Sequence, residues 1–467
     1  MEYKEFRITV HDANNLQFQK PSRVMSRSKS VPLTGDPLRA RTIKMFNKWL
    51  SEGRITQRDE LVLLGTYLYE GLFDTETDAA FKEEWIRVQR IQLAALRLVL
   101  EFEQNARELA IMPWEYIYYP DRDEKGFFLA TRSRLILARH ALLEESLVDE
   151  FKREERPLRI LIVVSRPGRE GPDGDVLGTV AAEPVIEAIE KLKNEREGTI
   201  VTEQLFQPTK RTLADRVEKF HPHVLHFIGH GREQGEGGAL ALVREGDDEI
   251  ASWISDEDLA DIFANYYLPR LIFLHACQGA HSTSYDGFRG VALQLVYSKV
   301  PAVIAMQYKV ENIVANLFAH KFYQSLGEGK RIDEAVQAGR LELGMYLDEG
   351  LNFRSRAFGS PVVYLQSGEG VIIAEAQAKT EVTQSSPVTF KCPECSKPVA
   401  ADHNFCTRCG TALAQCPICR QIMPKYGFCS VCGYRASSSL LSDRVDVVAP
   451  SALTRTSGQS SIKISSS

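Results

Sequence analysis

The sequence lacks the features of a membrane-spanning, secreted or strongly nucleic-acid-binding protein. The best candidate for a membrane span, VALQLVYSKVPAVIAM, is broken by Lys299 and Pro301, and no apolar run is long enough to cross a bilayer. The N-terminus, MEYKEFRITV, carries charges where a signal peptide needs an apolar segment. A formal net charge of -5 argues against a dominant nucleic-acid footprint. Together these absences predict a cytoplasmic protein.

Cysteine is absent before position 277, and its distribution after that point is uneven. Of the nine cysteines, eight form four C-x-x-C pairs near the C-terminus, and Cys277 stands alone. A secreted disulfide scaffold is usually short and spreads its cysteines through the fold. Paired thiols in a long chain without a signal peptide instead indicate metal sites in a reducing compartment.

A chain of 467 residues is too long for one compact core, so the sequence predicts several domains. Changes in composition and periodicity suggest where they begin and end. We expect a mixed α/β region over 1–155 associated with the core that follows it, a main α/β domain over 156–373, a polar linker over 374–390, a cysteine-rich module over 391–435 and a disordered Ser-rich tail over 436–467.

The main domain alternates short apolar runs with segments of helical spacing. PLRILIVV, HVLHFIG and LPRLIFLHA are continuous apolar runs, which is typical of strands covered on both faces. An acidic helix, SDEDLADIFANYY, separates the last two of these runs. This alternation predicts an α/β fold with a mostly parallel sheet and helices on both faces. In the preceding region, GFFLATRSRLILARH looks like a pair of strands.

Two of the predicted strands end in residues that carry chemistry. HFIGHG places His230 after one strand, and HACQGA places Cys277 after the next. A thiol attacks as a thiolate, and an imidazole takes its proton and later protonates the leaving amine. The backbone N–H groups of Gly231 and Cys277 are the expected oxyanion donors. A buried cysteine is commonly just a small hydrophobe, but this explains Cys277 alone and not the paired motifs.

The other histidines need a separate interpretation. His226 and His275 lie within the predicted strands, and we expect both to be structural. We expect His223 to lie on the surface.

Over residues of about 100 to 375 the chain resembles the CHAT family of caspase-like proteins. The resemblance is carried by VLHFIGHG, LIFLHACQGA, GVALQLVYSKVPAVIAMQYKV and DEAVQAGRLEL. His-Ala-Cys-Gln-Gly differs from the caspase signature Q-A-C-[RQG]-G only at its first position, and His230 lies 47 residues (277 − 230) before Cys277. The resemblance implies a caspase-like sheet and a cysteine endopeptidase with a His230/Cys277 dyad. It further implies one or few protein targets, in bacterial defence or programmed cell death.

The specificity pocket is less clear from the sequence. Relatives that cut after arginine or lysine often place an aspartate shortly after the strand that corresponds to AVIAMQYKV. Here Asn312 occupies that place, with Glu311 beside it. A neutral amide does not hold a guanidinium by charge, so Glu311 would have to supply the charge if the preference is basic. Asp286, after the nucleophile, is a further candidate.

The C-x-x-C pairs form two similar halves, 24 residues apart (416 − 392). Zinc prefers four thiolates in a tetrahedron, and two C-x-x-C turns supply them without strain. A redox-active C-x-x-C would need a thioredoxin-like βαβ context, which this segment does not have. The segment resembles a double zinc ribbon, which predicts two structural zinc ions, one bound by Cys392, Cys395, Cys406 and Cys409 and the other by Cys416, Cys419, Cys429 and Cys432.

The charge of this module bears on its partner. Residues 391–435 hold six Lys/Arg and two Asp/Glu, and eight thiolates with two zinc ions bring the sum to about zero. Nucleic-acid affinity depends on excess positive charge, so a protein substrate or protein partner is the expected ligand. The alternative to a protease is a non-catalytic caspase-like scaffold that binds proteins through the zinc ribbons.

Overall fold

The computed structural model describes most of the chain up to residue 372 and parts of the cysteine-rich segment. Contacts divide the chain into two units, Met1–Gln377 and Ala378–Ser467. Cys277 and the four cysteines predicted to form the second zinc site lie outside the described residues. The described residues are 2–121, 126–141, 154, 156–195, 198–234, 237–276, 284–308, 311–347, 356–366, 370–372, 389–392, 394–400, 405–406, 408–415 and 422–424.

Strands of the first unit form one large sheet and two small ones. In chain order they are β1 (Glu2–Val10), β2 (Leu16–Gln19), β3 (Ala94–Phe102), β4 (Tyr118–Tyr119), β5 (Phe127–Phe128), β6 (Leu135–Ala141), β7 (Leu158–Val164), β8 (Ile200–Phe206), β9 (Val224–Gly229), β10 (Gly231–Gln234), β11 (Gly237–Arg244), β12 (Asp247–Ser255), β13 (Leu271–Ala276), β14 (Ala302–Met306) and β15 (Pro361–Leu365). The large sheet has ten strands in the order β2-β1-β3-β6-β15-β14-β13-β9-β7-β8.

The ten-stranded sheet consists of two halves that run in opposite directions. In the first half, β1, β3, β6 and β15 are mutually parallel, and β2 pairs antiparallel with β1 at the edge. In the second half, β14, β13, β9, β7 and β8 are all parallel. The halves meet where β14 pairs antiparallel with β15. The carboxyl ends of the two halves therefore point to opposite edges of the sheet.

Helices cover both faces of this sheet, as the alternating sequence predicts. The face with Ile160, Ile304 and Phe273 packs against apolar side chains of the helices at 183–195, 312–327 and 332–347. The helices are α1 (Pro32–Gly35), α2 (Pro37–Ser51), α3 (Arg58–Leu72), α4 (Thr75–Arg90), α5 (Arg107–Ala110), α6 (Glu183–Glu195), α7 (Lys210–Phe220), α8 (Asp256–Asn265), α9 (Ser284–Tyr297), α10 (Asn312–Gly327) and α11 (Ile332–Leu347). The opposite face packs against α2, α3, α4, α7, α8 and α9. The predicted α/β fold with a mostly parallel sheet is confirmed.

A buried ion pair lies where the two halves meet. The carboxylate of Glu115 accepts hydrogen bonds from the guanidinium of Arg139 in β6, one of them 3.0 Å long. Arg340 of α11 places Nη2 3.5 Å from the same carboxylate, and the amide of Gln307, just after β14, donates to it at 2.8 Å. All four side chains are at most 1% exposed. One carboxylate thus connects the N-terminal region, α11 and the end of β14.

Two parts of the first unit differ from the sequence-based expectation. A three-stranded antiparallel sheet, β10-β11-β12, occupies the segment before α8, where the sequence predicted only the acidic helix. The segment 126–141 holds two strands, as predicted, but the first, β5, has only two residues and is separated from β6 by a 3-10 helix, Leu129–Thr131. The two strands do not pair with each other, because β5 pairs with β4, and β6 with β3 and β15. Among the described residues, no helix combines the length and apolarity needed to cross a lipid bilayer.

The second unit contains two short antiparallel hairpins among its described residues. The first pairs β16 (Thr389–Lys391) with β17 (Pro398–Ala400), and the second pairs β18 (Leu413–Gln415) with β19 (Ile422–Pro424). Among the described residues of this unit, the buried cluster consists of Cys392, Cys406 and Leu413, with Cys395 packed against it, and Met423 is also buried. Three of the four members of this cluster are therefore cysteines.

Candidate functional site

The candidate site begins where β9 and β13 end side by side. These parallel strands are paired through Leu271↔Val224 to Ala276↔Gly229, so their last residues are direct neighbours. Adjacent strands lie about 4.8 Å apart. His230 follows Gly229 at once, and position 277 follows Ala276. The two strands that lead to these positions, which are 47 residues apart in the sequence (277 − 230), therefore end side by side.

Tight packing fixes the backbone that presents His230. The side chain of His230 is 1% exposed, and its carbonyl oxygen accepts a hydrogen bond of 3.0 Å from the N–H of Ala241. A Cβ atom on Gly229 would lie 2.7 Å from the ring of Phe227 and 2.9 Å from the carbonyl oxygen of Ser165. Any larger residue at 229 would push β9 away from these neighbours, so glycine is required just before the histidine.

The position of Gly231 suits a hydrogen-bond donor. Gly231 opens β10 and pairs with Leu240 of β11. In antiparallel strands, hydrogen-bonded and non-hydrogen-bonded residue pairs alternate. Because His230 and Ala241 form a hydrogen-bonded pair, the next pair, Gly231 and Leu240, is a non-hydrogen-bonded one. The N–H of Gly231 is therefore directed away from β11. This orientation is compatible with the predicted role of Gly231 as an oxyanion donor, which stays a prediction.

A third strand, β7, ends near His230 with a polar residue, Ser165, that the sequence pattern does not single out. Ser165 follows β7, which pairs with β9, and its N–H donates to the carbonyl of Ile228 at 3.0 Å. Its hydroxyl is fully buried, and among the described residues it has no hydrogen-bond partner. The only sequence signal was a serine at the end of the run LRILIVV.

Two buried imidazoles lie in the strands behind the site. The ring of His226 stacks on Phe273 at 4.3 Å and on His275 at 5.6 Å, and its Nδ1 is 2.8 Å from the hydroxyl of Tyr323. Burial lowers the pKa of His275 to about 4 and that of His226 well below its ordinary value. Both rings are therefore neutral packing groups at pH 7. His226 and His275 belong to the interior of the sheet.

His223 is also buried, which corrects the expectation of a surface residue. Its side chain is 0% exposed, and Nδ1 accepts a hydrogen bond of 3.3 Å from the N–H of Arg159. Burial, with the nearby Arg159 charge, lowers the pKa of His223 to about 4. His223 is buried because it lies directly before β9, where the chain enters the sheet. The polar residues around it in the sequence do not indicate this burial.

The residues proposed for the specificity pocket lie near the starts of two helices. Glu311 is exposed and precedes α10, which begins at Asn312. Asp286 lies in the first turn of α9. The side chains of Asn312 and Asp286 are outside the described residues. Their role in specificity stays a prediction.

The first four paired cysteines come together as the spacing predicts. Their sulfur atoms all lie within 4.8 Å of one another, with Cys392 and Cys409 3.7 Å apart and Cys395 and Cys406 3.6 Å apart. A tetrahedron with Zn–S bonds of about 2.3 Å has sulfur–sulfur edges of about 3.8 Å, so the donor set fits zinc. Gly410, with φ +74°, allows the tight turn after the second pair.

Two solved structures are among those similar to this chain. The fold is similar to the Saccharomyces cerevisiae separase–securin complex, at 11% identity and a TM-score of 0.40, covering 78% of this chain and 30% of that chain. It is also similar to the complex of the Porphyromonas gingivalis RgpB pro- and mature domains, at 12% identity and a TM-score of 0.40, covering 72% of this chain and 78% of that one.

This chain thus spans less than a third of the separase chain that it resembles. No curated protein matches it in sequence. The CHAT domain, in contrast, matches residues 64–349, which include β9, His230, position 277, α10 and α11. Because this match covers more than half of the chain, the protein belongs to the CHAT family of caspase-like proteins.

Proposed function

We propose that this protein is a cysteine endopeptidase in which Cys277 is the nucleophile and His230 the general base and acid. The observation that carries the proposal is the register Gly229↔Ala276, since it makes the backbones leading to these two residues neighbours. If the register continued by one residue, position 277 would lie opposite His230. Membership of the CHAT family supports the same assignment.

The proposed reaction proceeds through an acyl-enzyme. The Cys277 thiol gives its proton to the imidazole of His230, and the thiolate forms a bond to the carbonyl carbon of the scissile peptide. The N–H groups of Gly231 and Cys277 stabilise the oxyanion. The intermediate then breaks its C–N bond as His230 protonates the leaving amine. Water, activated by His230, hydrolyses the thioester and restores the thiol.

We propose that the residue before the scissile bond is selected near the start of α10. Glu311 is exposed and carries the charge that Asn312 lacks, so it is the first candidate for holding an arginine or lysine. Asp286 is the second. Cleavage after basic residues, reduced sharply by Glu311→Gln, is the expected behaviour. Equal turnover of basic and neutral peptides by the unaltered protein would contradict it.

The zinc ribbons are proposed to recruit the protein substrate or a protein partner. When bound, each zinc ion supplies structural cross-linking through four thiolates. Cys392, Cys395, Cys406 and Cys409 would hold the first ion, and the remaining four cysteines the second. A near-neutral module is poorly suited to nucleic acid. We place the protein in the cytoplasm and its activity in bacterial defence or programmed cell death.

Mutation of the dyad tests the catalytic proposal. Cys277→Ala and His230→Ala should each lower kcat/KM on a peptide library by at least about a thousandfold, because the two residues act as one unit. His11→Ala is the matched control: it removes a half-buried histidine just after β1, away from the candidate site, and should leave cleavage largely unchanged. An iodoacetamide probe should label Cys277 before the zinc-bound thiols. Full cleavage by Cys277→Ala would exclude this nucleophile, and no cleavage by the unaltered protein would favour the scaffold alternative.

Metal content tests the second part of the proposal. Freshly purified, reduced protein should contain two zinc ions per chain, and Cys392→Ser should contain one. Chelation should unfold 391–435, because so few apolar side chains support this segment without metal. Cleavage of a short peptide should continue after chelation, while cleavage of the natural protein substrate is lost. Zinc content near zero would overturn the metal assignment.

A further inference from the structure

The small sheet next to His230 carries a half-buried arginine stacked on a tryptophan. Arg232 of β10 lies with its guanidinium carbon 4.2 Å from the ring centre of Trp253 in β12. The two side chains reach each other across β11, where Ala239 and Ala241 pair with Arg232 and Trp253 respectively. Both alanines are 0% exposed, so they are covered from this side. Small residues in the middle strand let the two long side chains meet.

The stack lies on the outer face of the small sheet. Leu240, Leu242 and Ile254 belong to the opposite face, and all three are part of the hydrophobic core. The indole is fixed by a hydrogen bond of 3.3 Å from its Nε1 to the carbonyl of Glu170. Both Arg232 and Trp253 are half-buried. A guanidinium in this setting has lost part of its side-chain freedom before any ligand arrives.

The guanidinium keeps hydrogen-bonding capacity for an anion. Among the described residues, its contacts are with the Trp253 ring and with the amide oxygen of Gln234, at 3.4 Å. Neither contact neutralises its charge. Elsewhere in the molecule the half-buried arginines Arg7 and Arg216 each form an ion pair with a glutamate, whereas Arg232 forms none with the part of the chain that the structure describes. Its planar fork suits a carboxylate, which it can bind through two hydrogen bonds.

The position of Arg232 relates this charge to the proposed reaction. Its Cα lies two residues beyond His230 along β10, which corresponds to about 7 Å. We propose that Arg232, held on Trp253, binds the side-chain carboxylate of an aspartate or glutamate in the substrate, within three residues of the scissile bond. This inference rests on the proposed function, because it assigns a second subsite to the same protease. It is separate from the pocket that Glu311 is expected to form.

Cleavage-site profiling of the full-length protein tests this inference. A peptide library made from a denatured proteome is incubated with the unaltered protein, with Arg232→Gln and with Arg232→Glu, and the cleavage sites are identified by mass spectrometry. The unaltered protein should show aspartate or glutamate enriched at one position within three residues of the cut. Arg232→Gln should lower kcat/KM for such a peptide about tenfold, and its amide analogue should be little affected. Arg232→Glu should shift the preference at that position to lysine or arginine.

Two further variants separate this subsite from general effects. Arg244→Glu changes an exposed arginine at the end of β11 in the same small sheet, and it should leave the acidic preference intact. Trp253→Ala should weaken the preference, because the guanidinium loses its support. Cleavage by the unaltered protein without an acidic preference, or the same preference in Arg232→Gln, would overturn the subsite alone. Absence of any cleavage by the unaltered protein would overturn the proposed function, and the subsite with it.

Discussion

The two halves of the ten-stranded sheet bury polar groups in opposite ways. The first half buries charges in pairs, Arg139 with Glu115 and Arg97 with Asp333 of α11, and the buried imidazole of its β6, His140, lies 3.2 Å from the Arg97 guanidinium and, among the described residues, not against aromatic rings. The second half buries the imidazoles of His226 and His275, which are neutral and pack against aromatic rings. The halves have similar strands, so the difference lies in what their interiors are built to hold.

The partners of these buried groups indicate what the ion pairs and the imidazoles each contribute to the fold. Arg97 and Asp333 are 236 residues apart, and Arg139 and Glu115 belong to different elements, so the charge pairs join distant segments. Fixed charges close to the proposed dyad would shift the pKa values of its thiol and imidazole. The neutral rings behind the ends of β9 and β13 pack there without adding a charge that would shift those pKa values. The first half is suited to holding the unit together, and the second is compatible with the chemistry proposed for its edge.

The largest effect on stability is expected from Glu115→Gln. An amide of the same shape leaves the buried guanidiniums of Arg139 and Arg340 without a countercharge, which should lower the free energy of unfolding by about 3–5 kcal/mol. Urea unfolding at pH 7 measures the change. Glu83→Gln is the matched control: Glu83 is exposed and pairs with Lys20 and Arg87 in solvent, so far less stability should be lost than in Glu115→Gln. Equal losses in the two variants would remove the contrast between the halves.

A smaller, pH-dependent effect is expected in the second half, from His275. Its pKa is about 4 in the folded protein, against about 6.5 in the unfolded chain. As the pH falls below 6.5, the unfolded chain binds the proton first, so stability present at pH 7 is lost progressively until about pH 4. Between pH 7 and pH 5, protonation of His275 in the unfolded chain lowers the free energy of unfolding by about 2 kcal/mol. His275→Phe should lose correspondingly less stability over this interval, as measured by urea unfolding at both pH values. An unchanged pH dependence would show that His275 does not titrate as its burial requires.

The smallest effect is expected from Tyr323→Phe, which removes the hydrogen bond between the tyrosine hydroxyl and Nδ1 of His226. A neutral hydrogen bond contributes about 1 kcal/mol, so the free energy of unfolding should fall by about that amount. Tyr297→Phe offers a control, since its buried hydroxyl has no hydrogen-bond partner among the described residues. A loss for Tyr323→Phe as large as that for Glu115→Gln would mean that the imidazoles, too, are held by strong electrostatic contacts.

Local patterns in the sequence predicted the strands and the cysteine cluster well, for a simple physical reason. A strand covered on both faces must be apolar throughout, so β7, β9 and β13 are visible as continuous runs. Four thiols that bind one metal need C-x-x-C turns, so Cys392, Cys395, Cys406 and Cys409 are visible from their spacing. In both cases the constraint acts within a few residues.

Features set by distant contacts were not predictable in this way. The segment that forms β10, β11 and β12 is rich in glycine and acidic residues, and its strands exist because β11 packs Leu240 and Leu242 on the core. Glu115 and Arg139 are charged, which normally indicates exposure, and only the pairing buries them. The same holds for His223 and for the stack of Arg232 on Trp253, whose residues are 21 positions apart (253 − 232). The reversal of direction between β14 and β15 likewise has no local signature.

The place of β15 in the sheet determines the order in which the unit can be completed. β15 lies between β6 and β14, so these two strands have no direct pairing with each other. Until residues 361–365 are available, β6 and β14 each present an unpaired edge, although all residues from β1 to α11 have already been made. The ten-stranded sheet therefore closes with nearly the last segment of its unit. A nascent or truncated chain that ends before β15 would consist of two separate sheets, and the ends of β9 and β13 would lack the support of the first half.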